Sequence, residues 1–254
     1  GVGTIVGVAW LIVLGAILTD AGPVGAMIAL TIGAMIMIPI GLCYAELAGI
    51  LPAAGGQVVY TNEIFGVNAA FITGISLCFI YIINCIFLGV SVGWLVNKLV
   101  PGVEGPFWYS IIGTDVHRGD ILIAIFCTLM ISIFNYRGAR STTRFQDIAT
   151  YSLLGASFIF ITAGIFGGSV NNLKPMIVET QSSWGLGGIF NVIAITPYFF
   201  AFNTIPQAIG EMHETSDKRK IALVLTGCIL ISLLFYCLVL LAVGMVMPRA
   251  QLLA

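Results

Sequence analysis

Residues 26–43, AMIALTIGAMIMIPIGLC, are apolar on every face of any helix they form, and runs of this kind recur along the chain. About 20 apolar residues at 1.5 Å each cross the hydrocarbon of a bilayer. Hydropathy allows seven such spans, beginning near Gly1, Ala26, Phe65, Ile121, Ile148, Ile189 and Ile221. A membrane β-barrel is excluded because its strands alternate polar and apolar residues over about ten positions, and these runs do not alternate. The composition agrees: of 254 residues 59% are hydrophobic, 8% are charged, and the mean hydropathy is +1.08, outside the range of a water-soluble domain. The sequence therefore predicts an all-α integral membrane protein, with residues 1–254 forming one transmembrane domain in contact with the lipid bilayer. The chain starts at Gly1 inside an apolar run and stops after a span, so it is expected to be a fragment of a longer protein.

The net charge of −1 and the lack of a long basic run exclude a nucleic-acid partner. Cys43, Cys78, Cys85, Cys127, Cys228 and Cys237 lie in or at the ends of apolar spans without CxxC spacing, and are expected to be reduced packing residues. His117 and His213 fall in connecting segments without a ligand partner at metal spacing and read as solvated loop residues. No metal and no cofactor are expected.

Orientation follows from the connecting segments. With the N-terminal end inside, Arg137, Arg140, Arg144, Lys218, Arg219 and Lys220 are cytoplasmic, whereas Lys98, Arg118, Lys174 and Arg249 lie outside. This is a positive-inside bias, and it predicts a multi-pass protein of the inner (plasma) membrane. The polar outer stretches 98–119 and 169–188 read as loops lying on the membrane surface, acting as lids or connectors.

Two places are irregular for membrane helices. GVGTIVG at the start of the first span concentrates Gly1, Gly3 and Gly7, and the sixth span carries Pro197, Asn203 and Pro206 among aromatics. Close helix packing and a simple proline kink are the bland readings of these features. Taken together, the two breaks occupy corresponding positions in an inverted-repeat plan of five spans per repeat, the arrangement that marks a midplane substrate site in secondary transporters. Backbone groups freed at such depth need partners, and a zwitterion supplies both: a carboxylate for N–H groups and an ammonium for carbonyls. The aromatics Tyr198, Phe199, Phe200 and Phe202 read first as packing residues, with Tyr198 and Phe199 as weak candidates for a gate.

The same residues carry a resemblance. GVGTIVG resembles the broken first helix of the amino acid–polyamine–organocation permeases, and YAELAGILPAAGGQVVY (Tyr44 to Tyr60) is similar to their first cytoplasmic loop, with Glu46, Pro52, Gly55, Gly56 and Tyr60 in order. NYRGARSTTRFQ (135–146) is similar to the loop between spans four and five, and FFAFNTIPQAIGEM (199–212) to the broken sixth helix. The resemblance implies a LeuT-like fold of five plus five inverted spans within a chain of about twelve helices. Residues 1–168 would hold the first repeat and 189–254 the start of the second. It also implies a secondary transporter without ATP, not an enzyme, with H+ or Na+ as possible coupling ion.

Carried over residue by residue, Gly1, Val2 and Gly3 match the amides that receive a substrate carboxylate, and Phe200 matches the carbonyl that receives the amine. Val2 stands where a Ser is common, leaving Thr4 as the substitute hydroxyl. Ala201, Phe202 and Asn203 stand where the family has Gly-aromatic-acidic, and Thr204 completes the set. Asn203 cannot titrate, so proton coupling would come from elsewhere. No ionisable residue lies mid-span in spans one, three or six to hold a second charge, which favours neutral amino acids over polyamines or arginine. Glu46, Glu63, Glu211 and Glu214 read as solvated charges at the cytoplasmic side, with the loop arginines as candidate partners of Glu46. A polyamine, organocation or amino acid exchanger of the same fold is the alternative within this class. A seven-helix receptor is the alternative outside it, and a membrane enzyme would need clustered His, Asp or Glu that the spans lack.

Overall fold

The computed structural model describes residues 5–6, 10–53, 55–100, 102–103, 105–111, 114–136, 139–178, 186–200 and 218–246. Helix dominates, as backbone polarity in hydrocarbon requires: every N–H and C=O must be matched within its own segment. The elements are α1 (Trp10–Ile50), α2 (Gln57–Phe65), α3 (Val67–Leu99), β1 (Phe107–Ile111), β2 (Thr114–His117), α4 (Arg118–Tyr136), α5 (Ala139–Gly167), a 3-10 turn (Val170–Leu173), α6 (Gly187–Phe199) and α7 (Lys218–Val246). Among the described residues, four stretches are long and apolar enough to cross a membrane: Val13–Ile50, Val67–Leu99, Arg144–Gly167 and Lys218–Val246. The seven-span reading differs partly because its first two spans share α1.

These two spans are separated by a break. Gly22 has φ 74 and ψ 167, a conformation open to glycine alone, and Pro23 restarts the helix with a φ already suited to its first turn. The break is clasped from outside by the segment after α5. The amides of Val24 and Gly25 both donate to the Met176 carbonyl, at 3.0 and 3.2 Å, and the Val178 amide donates to the Ala21 carbonyl at 3.2 Å. One carbonyl thus serves two amides of the restarted helix that have no intrahelical acceptor. The same segment covers the end of α7, where the Met245 carbonyl accepts from the Ser169 amide (3.0 Å) and the Asn172 side-chain amide (2.8 Å). The outer stretch read as a surface loop is, over 169–178, a bonded connector.

The chain forms two compact units, residues 1–70 with 149–254, and residues 71–148. In the first, α1 packs against both α6 and α7, and the core contains Leu18, Leu30, Val192, Leu225, Ile229 and Leu240, each at most 1% exposed. Gly33 of α1 lies directly against Thr196 of α6, a close approach open only to a residue without Cβ. In the second unit most apolar side chains face outward; of the most apolar window of α3, only 6% is buried within the protein. So large an apolar surface is stable in hydrocarbon and not in water.

The outer stretch 98–119 holds an antiparallel hairpin, β1 against β2, pairing Tyr109 with Val116 and Phe107 with His117. His117 is therefore not a solvated loop residue: its side chain is only 25% exposed and its Nδ1 lies 3.8 Å from Asp120 Oδ2. Asp120, buried in the first turn of α4, also accepts from Asn97 Nδ2 at 3.5 Å. His213 lies outside the described residues. The cysteines are all free; Cys228 is buried, Cys127 and Cys237 are half-buried, and Cys43, Cys78 and Cys85 are exposed.

Candidate functional site

The site is built where α6 ends. Thirteen residues make a helix of about 20 Å, short of the roughly 30 Å of hydrocarbon, so Gly187–Phe199 does not complete a crossing. Its last turn is weakened from within. Pro197 has no amide to donate to the turn before it, and the buried Thr196 hydroxyl bonds back to the Val192 carbonyl at 2.9 Å. Phe200 leaves helical geometry, with φ −106 and ψ 34, although its amide still reaches the Thr196 carbonyl at 3.1 Å.

Phe199 and Phe200 are buried at this end, 4% and 0% exposed. Both meet one ring of α7 edge-on: Tyr236 lies 5.3 Å from Phe199 at 85° and 5.9 Å from Phe200 at 80°. The Tyr236 hydroxyl donates to the main-chain carbonyl of Ile5, at 2.9 Å. A single buried side chain therefore touches both the end of α6 and the backbone of Ile5, which lies 231 positions before it in sequence. Phe235 packs edge-on against Trp10 of α1 at 5.6 Å. Ser232 precedes Tyr236 by one turn and shares its helix face. Ser232 Oγ and Trp10 Nε1 are buried without a hydrogen-bond partner among the described residues.

Of the residues marked by the sequence, Phe200 and Phe199 are brought together with Ile5 through Tyr236. Tyr198, the other gate candidate, is 47% exposed and meets Phe199 edge-on at 6.4 Å. Gly1, Val2, Gly3, Thr4, Ala201, Phe202, Asn203 and Thr204 lie outside the described residues. Tyr236, Ser232 and Trp10 went unmarked in the sequence. A signal existed for Tyr236: tyrosine in a bilayer protein collects at the interfaces, and this one interrupts the aliphatic run LLFYCLVLL well inside a span.

Tyr60 of α2 is 4% exposed and packs edge-on with Tyr44 at 6.4 Å. Its hydroxyl has no partner among the described residues. Burial pushes this phenol above its ordinary value, and the neighbouring Tyr44 adds to the rise. Glu46 lies 4.0 Å from Lys218, at the start of α7, and the pair is exposed, hence weak; of the loop arginines expected as its partners, Arg137 and the side chain of Arg140 lie outside the described residues. Among the described residues no group of three His, Cys, Asp or Glu is placed to hold a metal ion.

The whole chain, residues 1–254, matches the amino acid permease family. It is 27% identical over 252 residues to the branched-chain amino acid permease BcaP of Lactococcus lactis, covering 96% of this chain and 54% of that one. To the aspartate-proton symporter of Bacillus subtilis it is 26% identical over 242 residues, 93% of this chain and 44% of that one. To the human large neutral amino acids transporter small subunit 2 it is 31% identical over 167 residues, 65% of this chain and 29% of that one. The chain spans about half the length, or less, of these relatives. Its match from first residue to last, with helices of bilayer length, makes it a multi-pass membrane protein belonging to the amino acid permease family.

Proposed function

We propose that this chain is part of a secondary active transporter that moves amino acids, neutral ones first, across the plasma membrane by alternating access. The observation that carries the reading is the meeting of Ile5, Phe199 and Phe200 on Tyr236, where a helix too short for the bilayer ends inside the protein. Backbone groups freed there suit a zwitterion, the amides of Gly1 to Gly3 receiving a carboxylate and the Phe200 carbonyl an ammonium. Thr4 and the stretch Ala201 to Thr204 line the same place, and Tyr198 and Phe199 gate it. The frame is a LeuT-like one, residues 1–168 forming a first repeat and 189–254 opening the second.

Neutral substrates are favoured because the spans offer no mid-membrane charge for a second ionised group. Two of the relatives described above are named for branched-chain or large neutral amino acids, and the symporter named for aspartate and protons suggests a proton as coupling ion ahead of sodium. The test is uptake by the full-length protein in proteoliposomes, with labelled amino acids at two pH values, with and without sodium. Saturable uptake of leucine-like substrates, faster with an inward proton gradient, is expected. Uptake no greater than that of empty vesicles for every amino acid would refute the reading.

A further inference from the structure

We propose that Tyr236 is a positioning residue of the amino acid site: its hydroxyl fixes the backbone at Ile5 while its ring seats the two phenylalanines at the end of α6. The inference rests on the transport reading and adds to it a third wall, α7, and a stated role for one side chain. Tyr236 is 2% exposed, and its hydroxyl reaches the Ile5 carbonyl at 2.9 Å. Ile5 is itself only 6% exposed, so water has little access to that carbonyl and the bond holds one backbone position against alternatives. Edge-on contacts at 5.3 and 5.9 Å are close enough that displacing either Phe ring by an ångström or two loses them. Movement at the start of the first span is thereby felt at the end of the sixth, and the reverse.

A purely packing role for Tyr236 needs the ring and not the hydroxyl, which separates the two readings. If the bond is made in the substrate-competent arrangement and broken in others, its loss lowers the competent population and weakens apparent affinity by the same factor. One neutral hydrogen bond corresponds to a change of about 3- to 10-fold.

The experiment uses the full-length protein with Tyr236→Phe and two ring analogues installed at 236. 4-Fluorophenylalanine fills the space of tyrosine without a donor, and 4-aminophenylalanine keeps a donor. The fluoro variant decides the matter even where Tyr236→Phe fails to fold. Per copy in the membrane, the phenylalanine and fluoro variants are expected to raise KM for leucine by about 3- to 10-fold, leaving the maximal rate within about twofold. The amino variant is expected to restore KM. Amide hydrogen exchange around Ile5 is measured alongside, without substrate, and is expected to quicken in the fluoro variant and return to the parent rate in the amino variant. Unchanged exchange around Ile5 in the fluoro variant overturns the proposal, as does a KM equal in the fluoro and amino variants. Absence of uptake by the parent would refute the transport reading alone, since the exchange measurement still decides the role of Tyr236.

Discussion

The contact between Gly33 and Thr196 sets how closely α1 and α6 approach, and Gly33→Ala tests it. An alanine Cβ at 33 would lie 2.5 Å from Thr196 Cβ and overlap its Cγ2, where ordinary van der Waals contact begins near 3.4 Å. Thr196 is fully buried and its hydroxyl is held by the Val192 carbonyl, so rotating the side chain does not clear the space. The helices must part by about an ångström, and overpacking of this kind costs about 1–3 kcal/mol. Gly15→Ala is the control, because a Cβ there meets nothing within 4 Å and gains only helix propensity, at most about 1 kcal/mol. Unfolding of the purified protein in mixed micelles, titrated with a denaturing detergent, should show Gly33→Ala weakened by about 1–3 kcal/mol and Gly15→Ala unchanged or slightly stronger. Thr196→Gly in the Gly33→Ala background removes the obstructing atoms and should recover part of the loss. Gly33→Ala as stable as the parent, or no recovery in the pair, would show that α1 and α6 do not meet as described.

Gly22→Ala should cost more than about 2 kcal/mol, combining a glycine-only backbone conformation with a Cβ 2.8 Å from the Met176 carbonyl. No side-chain change at Met176 should rescue it in the same titration, since the obstacle is backbone. Tyr60→Phe removes a buried hydroxyl without a described partner and should leave stability equal or raise it by about 1 kcal/mol. Because burial raises the Tyr60 phenol above its unfolded value near 10, ionising it costs the folded state more than the unfolded one, so stability is unaffected below pH 10 and falls as pH climbs above it. The parent should therefore lose stability there more steeply than Tyr60→Phe, as thermal melts between about pH 8 and 11 would show. Asn203→Asp should give uptake a new pH dependence between about pH 5 and 7, from a carboxyl whose reference value near 3.9 rises on partial desolvation, while Asn203→Ala lowers affinity without one; flat profiles for the Asp variant would remove residue 203 from the site.

Helices and their rough placement were legible because hydrocarbon leaves one local solution for the backbone, and the breaker Pro197 acts on its own segment, although the break at Gly22 and Pro23 was not marked. What is not local was not legible. The Tyr236–Ile5 bond joins residues 231 apart, and no periodicity in either segment points to the other. Glu46 lies against Lys218 for the same reason. The cysteines show a second limit: in a bilayer the lipid-facing side of a helix is as apolar as its packed side. Composition could not therefore separate buried Cys228 from exposed Cys43, Cys78 and Cys85. The β1–β2 hairpin was hidden by the Pro, Gly and Trp around it, which read as loop.

The depth at which α6 stops gives Tyr236 its weight. In water, a helix end is satisfied by solvent and a tyrosine beside it contributes little beyond packing. In hydrocarbon no solvent donates to the last carbonyls of a helix of about 20 Å, so their donors must come from the protein or from a ligand. Phe199 and Phe200 offer rings and no side-chain donor, and among the described residues the polar side chain in contact with them is Tyr236 of α7. Tyr236 is bonded to Ile5, while Ser232 Oγ, one turn away on α7, and Trp10 Nε1, against Phe235 of α7, are buried without a hydrogen-bond partner among the described residues. Leaving a buried hydroxyl and an indole N–H unmatched costs about 1–3 kcal/mol each, a poor arrangement for a purely structural core. The same arrangement suits a wall that meets a polar guest part of the time, which is the role the transport proposal gives to this face of α7.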